Sequence, residues 1–369
     1  MNFELSEDEA MLKALAERFV IDRYDNERRR GYLAQSNGFD PHNWSMLGEL
    51  GLIAALFDEA AGGLALDATG IATVFEALGR GMVAEPLIEN VLVAARLFAG
   101  TAPADLRQKW LDGLLSGQRR LALAHAESGG RNGQLWVETR ADANGAGLRL
   151  SGSKLCVPAG SGVDGFLVSA RSNGSPADPQ GVGLYFVPAN SPGLTIESWK
   201  MADGSCAVTL HLDGVATAVK LDGDAAAIEH AQDLANLARA AEALGIMEQI
   251  FADTLEYLRT REQFGTKLGS FQALQHRMVA QYAVIEQTRA LLNLAQVSCG
   301  KAEFASAVNG VRAYVAQTSL TLGHEMIQMH GGMGVTDELS IGHGHKRLLV
   351  LSRWPDDPEA ALDRFAGIA

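Results

Sequence analysis

The sequence predicts an α+β chain ordered as helices, strands, then helices. It divides into an N-terminal α-helical domain over 1–118, a β domain over 119–220 and a C-terminal helical domain over 225–369. Three observations carry this reading. All 10 prolines lie outside residues 193–354, and from about 225 to 330 the chain is rich in Ala, Leu, Gln, Glu and Arg, which is helix composition. Residues 148–215 instead offer short β-rich runs separated by Gly, Pro, Asn and Ser. At 369 residues, 47% of them hydrophobic, the chain is too long for one simple domain and supplies large cores.

The first helix is announced by Ser6 and Glu9, a capping box, followed by Leu12, Leu15 and Phe19 at helical spacing. Breaks fall near Gly38–Pro41, Gly62–Gly63, Pro86 and Pro103, and residues 68–87 read as a buried helix ended by their glycines and Pro86. Strands are expected at 148–157, 165–171, 183–187, 194–199 and 208–215, with 172–180, "SNGSPADPQ", as a flexible loop. Residues 225–330 read as three long helices packed on one another, with Gly300 marking a helix end.

A net charge of -13 makes nucleic acid or an anionic membrane a poor partner. The start lacks the basic and apolar regions of a leader, and no stretch approaches the roughly 18 apolar residues of a membrane span. Cys156, Cys206 and Cys299 are scattered, which excludes a disulfide framework and points to a cytoplasmic protein. His343 and His345 have no third ligand at suitable spacing, so no metal is expected. His125, His276 and His330 read as packed or solvated.

Three segments carry chemistry. In 257–278, "YLRTREQFGTKLGSFQALQHRM", a long helix ends near Arg261, a glycine-marked loop follows, and Ser270 opens the next helix. A fixed planar cation beside Phe264 and Gln272 suits a pyrophosphate and an adenine ring. On the residues alone, a helix–loop–helix turn with solvated charges is the simpler account. In "MIQMHGGMGVTDE" (326–338) paired glycines stop a helix and permit close approach by a ligand or another chain, though a plain C-cap explains them equally. In "LARAAEALGIM" (237–247) a carboxylate, Glu242, stands in a small-residue helix.

In this order and spacing, the segments resemble the acyl-CoA dehydrogenase family over essentially the whole chain. The family's Arg-x-x-Phe-Gly with a later Gln is matched by Arg261, Phe264, Gly265 and Gln272, and its Gln-x-x-Gly-Gly by Gln328, Gly331 and Gly332. The resemblance implies an acyl-CoA dehydrogenase-like fold with a C-terminal four-helix bundle. It also implies FAD bound between subunits of a homo- or hetero-oligomer (dimer or tetramer). Those residues would approach the adenosine and pyrophosphate of a flavin seated mainly on the neighbouring subunit. The implied reaction is α,β-desaturation of an acyl-CoA, with a carboxylate taking the α-proton, hydride passing to flavin N5, and electrons leaving to an electron-transfer flavoprotein. Fatty acid or steroid side-chain β-oxidation is the setting this suggests, and a flavin oxidase of the same fold stays open.

The departures from the family bear on catalysis. Its usual base, a Glu before Gly-Thr, falls at Pro355, which also lacks the N–H that would polarise a thioester carbonyl; Asp356 and Asp357 are near but out of register. The alternative base of isovaleryl-CoA and some long-chain members falls at Ala235. Glu242 lies seven residues on, about 700° of rotation and roughly 10 Å along the same face. Ala235, Ala238, Ala241 and Gly245 read as room around it, as in a cavity wall that raises a carboxylate's pKa, and it resembles the branch acting on bulky or dicarboxylic acyl-CoAs. Glu242 is therefore the candidate base, against a surface ion pair with Arg239. In "ALAHAESGGRN" (122–132), Ala126 takes a flavin-touching Thr position, keeping a backbone contact, and Asn132 a serine position near the pyrophosphate. Cys156 and Pro158 stand where a Trp and a Thr usually cover the flavin. The alternative function is a non-catalytic partner subunit of a heterotetramer that completes the other chain's flavin site, which the short C-terminal ending also resembles.

Overall fold

The computed structural model of the chain describes residues 5–130, 135–144 and 147–367. Seven helices come first: α1 (Glu7–Arg23), α2 (Asn26–Ala34), α3 (Pro41–Glu49), α4 (Leu52–Ala55), α5 (Ala68–Arg80), α6 (Arg96–Thr101) and α7 (Ala104–Leu115). Wide π-type turns over Leu87–Ala95 lead into α6. Eight strands follow: β1 (Leu121–Ala124), β2 (Arg140–Asn144), β3 (Gly147–Pro158), β4 (Gly165–Arg171), β5 (Val182–Pro188), β6 (Leu194–Lys200), β7 (Cys206–Val215) and β8 (Val219–Lys220). The chain ends with α8 (Ala225–Thr260), the short β9 (Glu262–Gln263) and β10 (Thr266–Lys267), then α9 (Gln272–Val297), α10 (Phe304–His330), α11 (Ser340–Arg353) and α12 (Pro358–Ala366).

Two compact units result. One comprises Met1–Gly31, Asp67–Val83 and Asn236–Ala369, the other Tyr32–Leu66 and Ala84–Ala235. In the first, the Ser6–Glu9 capping box forms as the sequence indicates, and Leu12, Ala16 and Phe19 of α1 are buried. Helix α5 is started by the Asp67 carboxylate, which accepts from the N–H groups of Thr69 and Gly70. The three long helices α8, α9 and α10 have the order expected, and Gly300 adopts left-handed backbone (φ 74°) beyond the end of α9. Among the described residues no helix is long and apolar enough to cross a membrane.

The second unit holds an eight-stranded sheet in the order β6-β7-β3-β2-β4-β5-β8, with β1 pairing in parallel with β4. Strand β4 runs over the residues expected, 165–171, and is buried throughout. Strands β1, β2 and β8 lie outside the expected set. Inside the sheet, Leu150, Val157, Phe166, Val168, Val208 and Leu210 form one apolar cluster.

Residues 172–180, expected to be flexible, are organised around a buried cation. Arg171 is fully buried, and its five N–H donors all reach main-chain carbonyls. Nε donates to Val137 (2.8 Å), Nη1 to Asn173 and Gln180, and Nη2 to Pro176 and Asp178. With so many acceptors, the loop supplies the polar environment a buried guanidinium requires.

Candidate functional site

The loop after α8 is a tight hairpin. Gln263 pairs with Thr266 and Glu262 with Lys267, leaving Phe264 and Gly265 as a two-residue turn with φ of 58° and 78°. Both values are positive, as the twist of a two-residue hairpin requires. For Phe264 this backbone costs about 1 kcal/mol or more, and its ring is 88% exposed. The ring meets Phe271 edge-on at 6.3 Å, next to Gln272. Ser270 does not open α9. It ends a single 3-10 turn with its hydroxyl on the Lys267 carbonyl, and α9 begins at Gln272 after an uncapped Phe271. Arg261 and Gln272 are exposed.

The glycine pair follows α10. Gly331 has φ 58° and ψ -139°, a combination open only to glycine, and an added Cβ at Gly331 or Gly332 would meet nothing within 4 Å. The buried His330 before them stacks on Tyr257 of α8 with ring centroids 4.4 Å apart, and its Nδ1 faces the Met326 carbonyl. This stacking brings the ends of α8 and α10 together. Arg261, Phe264 and Gln272 therefore share one end of the helical unit with exposed Gln328, Gly331 and Gly332.

Glu242 is 5% exposed, so it is not a surface ion. Its cation is Arg347 of α11: Nε donates to Oε1 at 2.7 Å and Nη2 to Oε2 at 3.0 Å, the two-pronged geometry of strong guanidinium–carboxylate pairs. Arg239, the partner expected, is itself buried and donates from Nη1 to Asn236 Oδ1 at 2.8 Å. The small residues nearby serve packing rather than a ligand. A Cβ at Gly245 would lie 2.1 Å from the Glu76 carbonyl oxygen, and one at Gly79 would lie 2.3 Å from that of Glu242, so α5 and α8 touch backbone to backbone. Ala238 and Ala241 are fully buried. Nothing in the sequence near Glu242 signals Arg347, which lies 105 residues further along the chain on α11.

The two aspartates beside Pro355 are also engaged. Asp356 accepts from Arg312 Nε at 3.0 Å and pairs with Arg364, while Arg312 further binds the carbonyls of Trp354 and Asp356. Burial draws the Arg312 guanidinium down to about 10, against the pull of Asp356. Asp357 caps α12 through the Glu359 N–H and pairs with Arg353. His343 Nε2 faces the Asp337 carbonyl and His345 lies against His324, and among the described residues no group of three or more potential metal ligands occurs.

In the sheet unit, the segment around Ala126 is tied to β3: the Leu155 N–H donates to the Ala126 carbonyl at 2.8 Å. A bulge of β3 against β7 places Cys156 in left-handed backbone (φ 46°), and burial raises its thiol to about 11. Beneath them Lys154, fully buried, donates to Glu127 Oε1 (2.5 Å), Ser169 Oγ (2.9 Å) and the His125 carbonyl (3.2 Å). Burial lowers Lys154 to about 8. Burial pushes Glu127 upward, yet Lys154 and donors from Glu138 and Thr139 hold it below the usual carboxylate range. This network is a structural staple for the strands. Asn132 lies outside the described residues.

Comparison with known proteins places this arrangement of helices, sheet and helices in a class of flavoprotein dehydrogenases. Residues 6–118 match the acyl-CoA dehydrogenase N-terminal domain and residues 225–354 the C-terminal domain. Acyl-CoA dehydrogenase FadE27 of Mycobacterium tuberculosis is 29% identical over 345 residues, covering 91% of this chain and 90% of that protein. Among solved structures, the Tcur3481–Tcur3483 steroid ACAD is 30% identical with a TM-score of 0.87, covering 98% of this chain and 97% of that one. The ChsE4–ChsE5 complex of Mycobacterium tuberculosis is 26% identical with a TM-score of 0.88, covering 100% and 98%. The chain belongs to the acyl-CoA dehydrogenase family, whose members bind FAD, and it has that family's fold of N-terminal helical domain, central β domain and C-terminal helical domain.

Proposed function

We propose that this chain is the non-catalytic partner subunit of a two-component, FAD-dependent acyl-CoA dehydrogenase. The observation that carries the reading is the buried, two-pronged Glu242–Arg347 pair. A general base must come within hydrogen-bond reach of the proton it removes, and here both carboxylate oxygens are committed to a guanidinium beside a closed helix crossing. With Ala235 and Pro355 at the other base positions, the chain has no carboxylate free for α-proton removal at any of the three.

What the chain offers is an exposed end. Arg261, Phe264, Gln272, Gln328, Gly331 and Gly332 suit the adenosine and pyrophosphate of a flavin seated on the other chain, as a planar cation, an aromatic face and unobstructed glycines. Bound there, FAD supplies the hydride acceptor for desaturation of an acyl-CoA, and an electron-transfer flavoprotein is the onward acceptor. Ala126 keeps only main-chain groups for a flavin of its own, and its carbonyl is spent on Leu155. Two similar solved proteins, the Tcur3481–Tcur3483 steroid ACAD and the ChsE4–ChsE5 complex, are also named as pairs of components.

The test is the visible spectrum of the chain purified alone, with acyl-CoA and a dye acceptor added. A colourless protein that gains stoichiometric flavin only with a second gene product is expected. Stoichiometric FAD that acyl-CoA bleaches, with bleaching lost in Glu242→Gln, would establish the catalytic reading instead.

A further inference from the structure

A pocket opens at the outer edge of the sheet, lined by none of the residues assigned above to flavin or base. Its volume is about 350 Å³, at the small end of ligand pockets, which run to roughly 300–1,000 Å³. Strand β8 is that edge, and it pairs with β5 only at Tyr185 and Phe186. Further along β5, Ser172 donates its N–H to the Gly181 carbonyl at 3.0 Å, and Leu184 donates its own to the Gly223 carbonyl at 3.1 Å. Main-chain groups alternate sides along a strand, so Val182 turns its N–H and C=O away from β4 and toward the pocket. Among the described residues neither group has a partner.

Residues 181, 183 and 185 share one face of β5. The first two are glycine, which leaves the floor bare, and the Tyr185 ring lies over it: a Cβ at Gly183 would sit 3.3 Å from the Tyr185 hydroxyl. Tyr185 is 3% exposed, yet its hydroxyl opens into the pocket with no hydrogen-bond partner among the described residues. A hydroxyl in that position forfeits hydrogen bonding that a ligand would restore. Lys220 stands directly opposite Tyr185 on the ladder, and Asp222 follows two residues later. Both are exposed, and among the described residues neither joins an ion pair. Asp224 accepts from the Ala227 N–H at 3.0 Å, so the start of α8 already holds its own anion.

We propose that this pocket binds a zwitterionic dipeptide. The peptide amide supplies the donor and acceptor that the open edge at Val182 lacks, as in strand addition to a sheet. The ligand's ammonium sits with Asp222 and its carboxylate with Lys220, so neither protein charge is covered without an opposite one. The Tyr185 hydroxyl donates to a ligand oxygen. A dipeptide is the smallest peptide to join an amide to both charges. A phosphate fits poorly, because two carboxylates against one ammonium line the pocket. The inference does not depend on the partner-subunit reading.

The experiment titrates the full chain with L-alanyl-L-alanine by isothermal calorimetry. Beside it run the N-acetyl form, which lacks the ammonium, and the C-terminal amide, which lacks the carboxylate. One saturable site is expected for the dipeptide, with each blocked form roughly tenfold or more weaker. Lys220→Met should bring the dipeptide down to the affinity of its amide, while the amide itself binds as before. Tyr185→Phe should weaken the dipeptide roughly tenfold and leave urea unfolding unchanged, since the hydroxyl has no protein partner to lose. A destabilised Tyr185→Phe protein would make that hydroxyl structural and overturn the site. Absence of saturable dipeptide heat overturns it as well. So does binding that the blocked forms match, binding that survives both variants unchanged, or inorganic phosphate that binds more tightly than the dipeptide.

Discussion

Replacing Gly245 by alanine tests whether the small residues around Glu242 exist for packing. Its new Cβ would lie 2.1 Å from the Glu76 carbonyl oxygen and 3.0 Å from the Arg80 nitrogen, whereas ordinary Cβ contacts begin near 3.4 Å. The obstructing atoms are backbone, so no side chain can swing away, and α5 and α8 must separate by more than an ångström. Overpacking of this kind costs about 1–3 kcal/mol, and alanine returns up to about 1 kcal/mol through helix propensity. Contact with backbone favours the upper part of that range, and separation also pulls Arg80 from Glu248, 2.8 Å away across the same crossing. A net loss of about 2 kcal/mol follows. Urea unfolding is the assay, with the midpoint expected to fall at unchanged slope. A Gly245→Ala protein as stable as the wild type, or more so, would refute the tight crossing and restore these residues as the wall of a ligand cavity.

Two further outcomes follow from buried polar groups. Glu242→Gln breaks a pair whose arginine is only partly screened by solvent, and should cost about 2–3 kcal/mol. A double-mutant cycle with Arg347→Gln should return a coupling of about 1 kcal/mol or more, and strict additivity would mean the pair is idle. His125, with Nδ1 against Ser169 Oγ at 2.9 Å, is drawn from 6.5 to about 4 by burial and then by Lys154. Between those values the unfolded chain holds a proton that the folded chain does not, so this contribution is full above 6.5 and shrinks as pH falls toward 4. Urea melts of His125→Gln across that window should show a shallower pH slope, and an unchanged slope would assign the loss to other groups.

Long helices were legible because composition repeated over many turns gives a strong signal, and α8, α9 and α10 stand where that signal placed them. Strands β1 and β2 were not. "LALA" is too short to show alternation and "RADAN" has no β-branched residue, so only their neighbours in the sheet make them strands. The hairpin at Phe264 was hidden for a related reason: a left-handed phenylalanine contradicts local preference, and pairing of β9 with β10 imposes it. Around Glu242, a run of small residues permits a cavity or a close helix crossing alike. The deciding facts are Gly79, more than 160 residues away, and Arg347, 105 residues away, beyond the reach of any argument from helical spacing. The family's motif residues were readable because they are local in sequence, as "REQFG" and "QMHGG" show.

The guanidinium of Arg171 binds the loop between β4 and β5 much as a chelated ion organises its ligands, with carbonyls from five residues converging on one centre. Losing that centre strands all five carbonyl acceptors at once and leaves the loop only its own contacts, such as Ser175 N–H to Asp178 Oδ2. Proteolysis within residues 172–180 is therefore expected to rise when Arg171 is replaced. For a stretch so rich in Gly, Ser, Pro and Asp, one side chain at its border supplies five of the hydrogen bonds that order it and its surroundings.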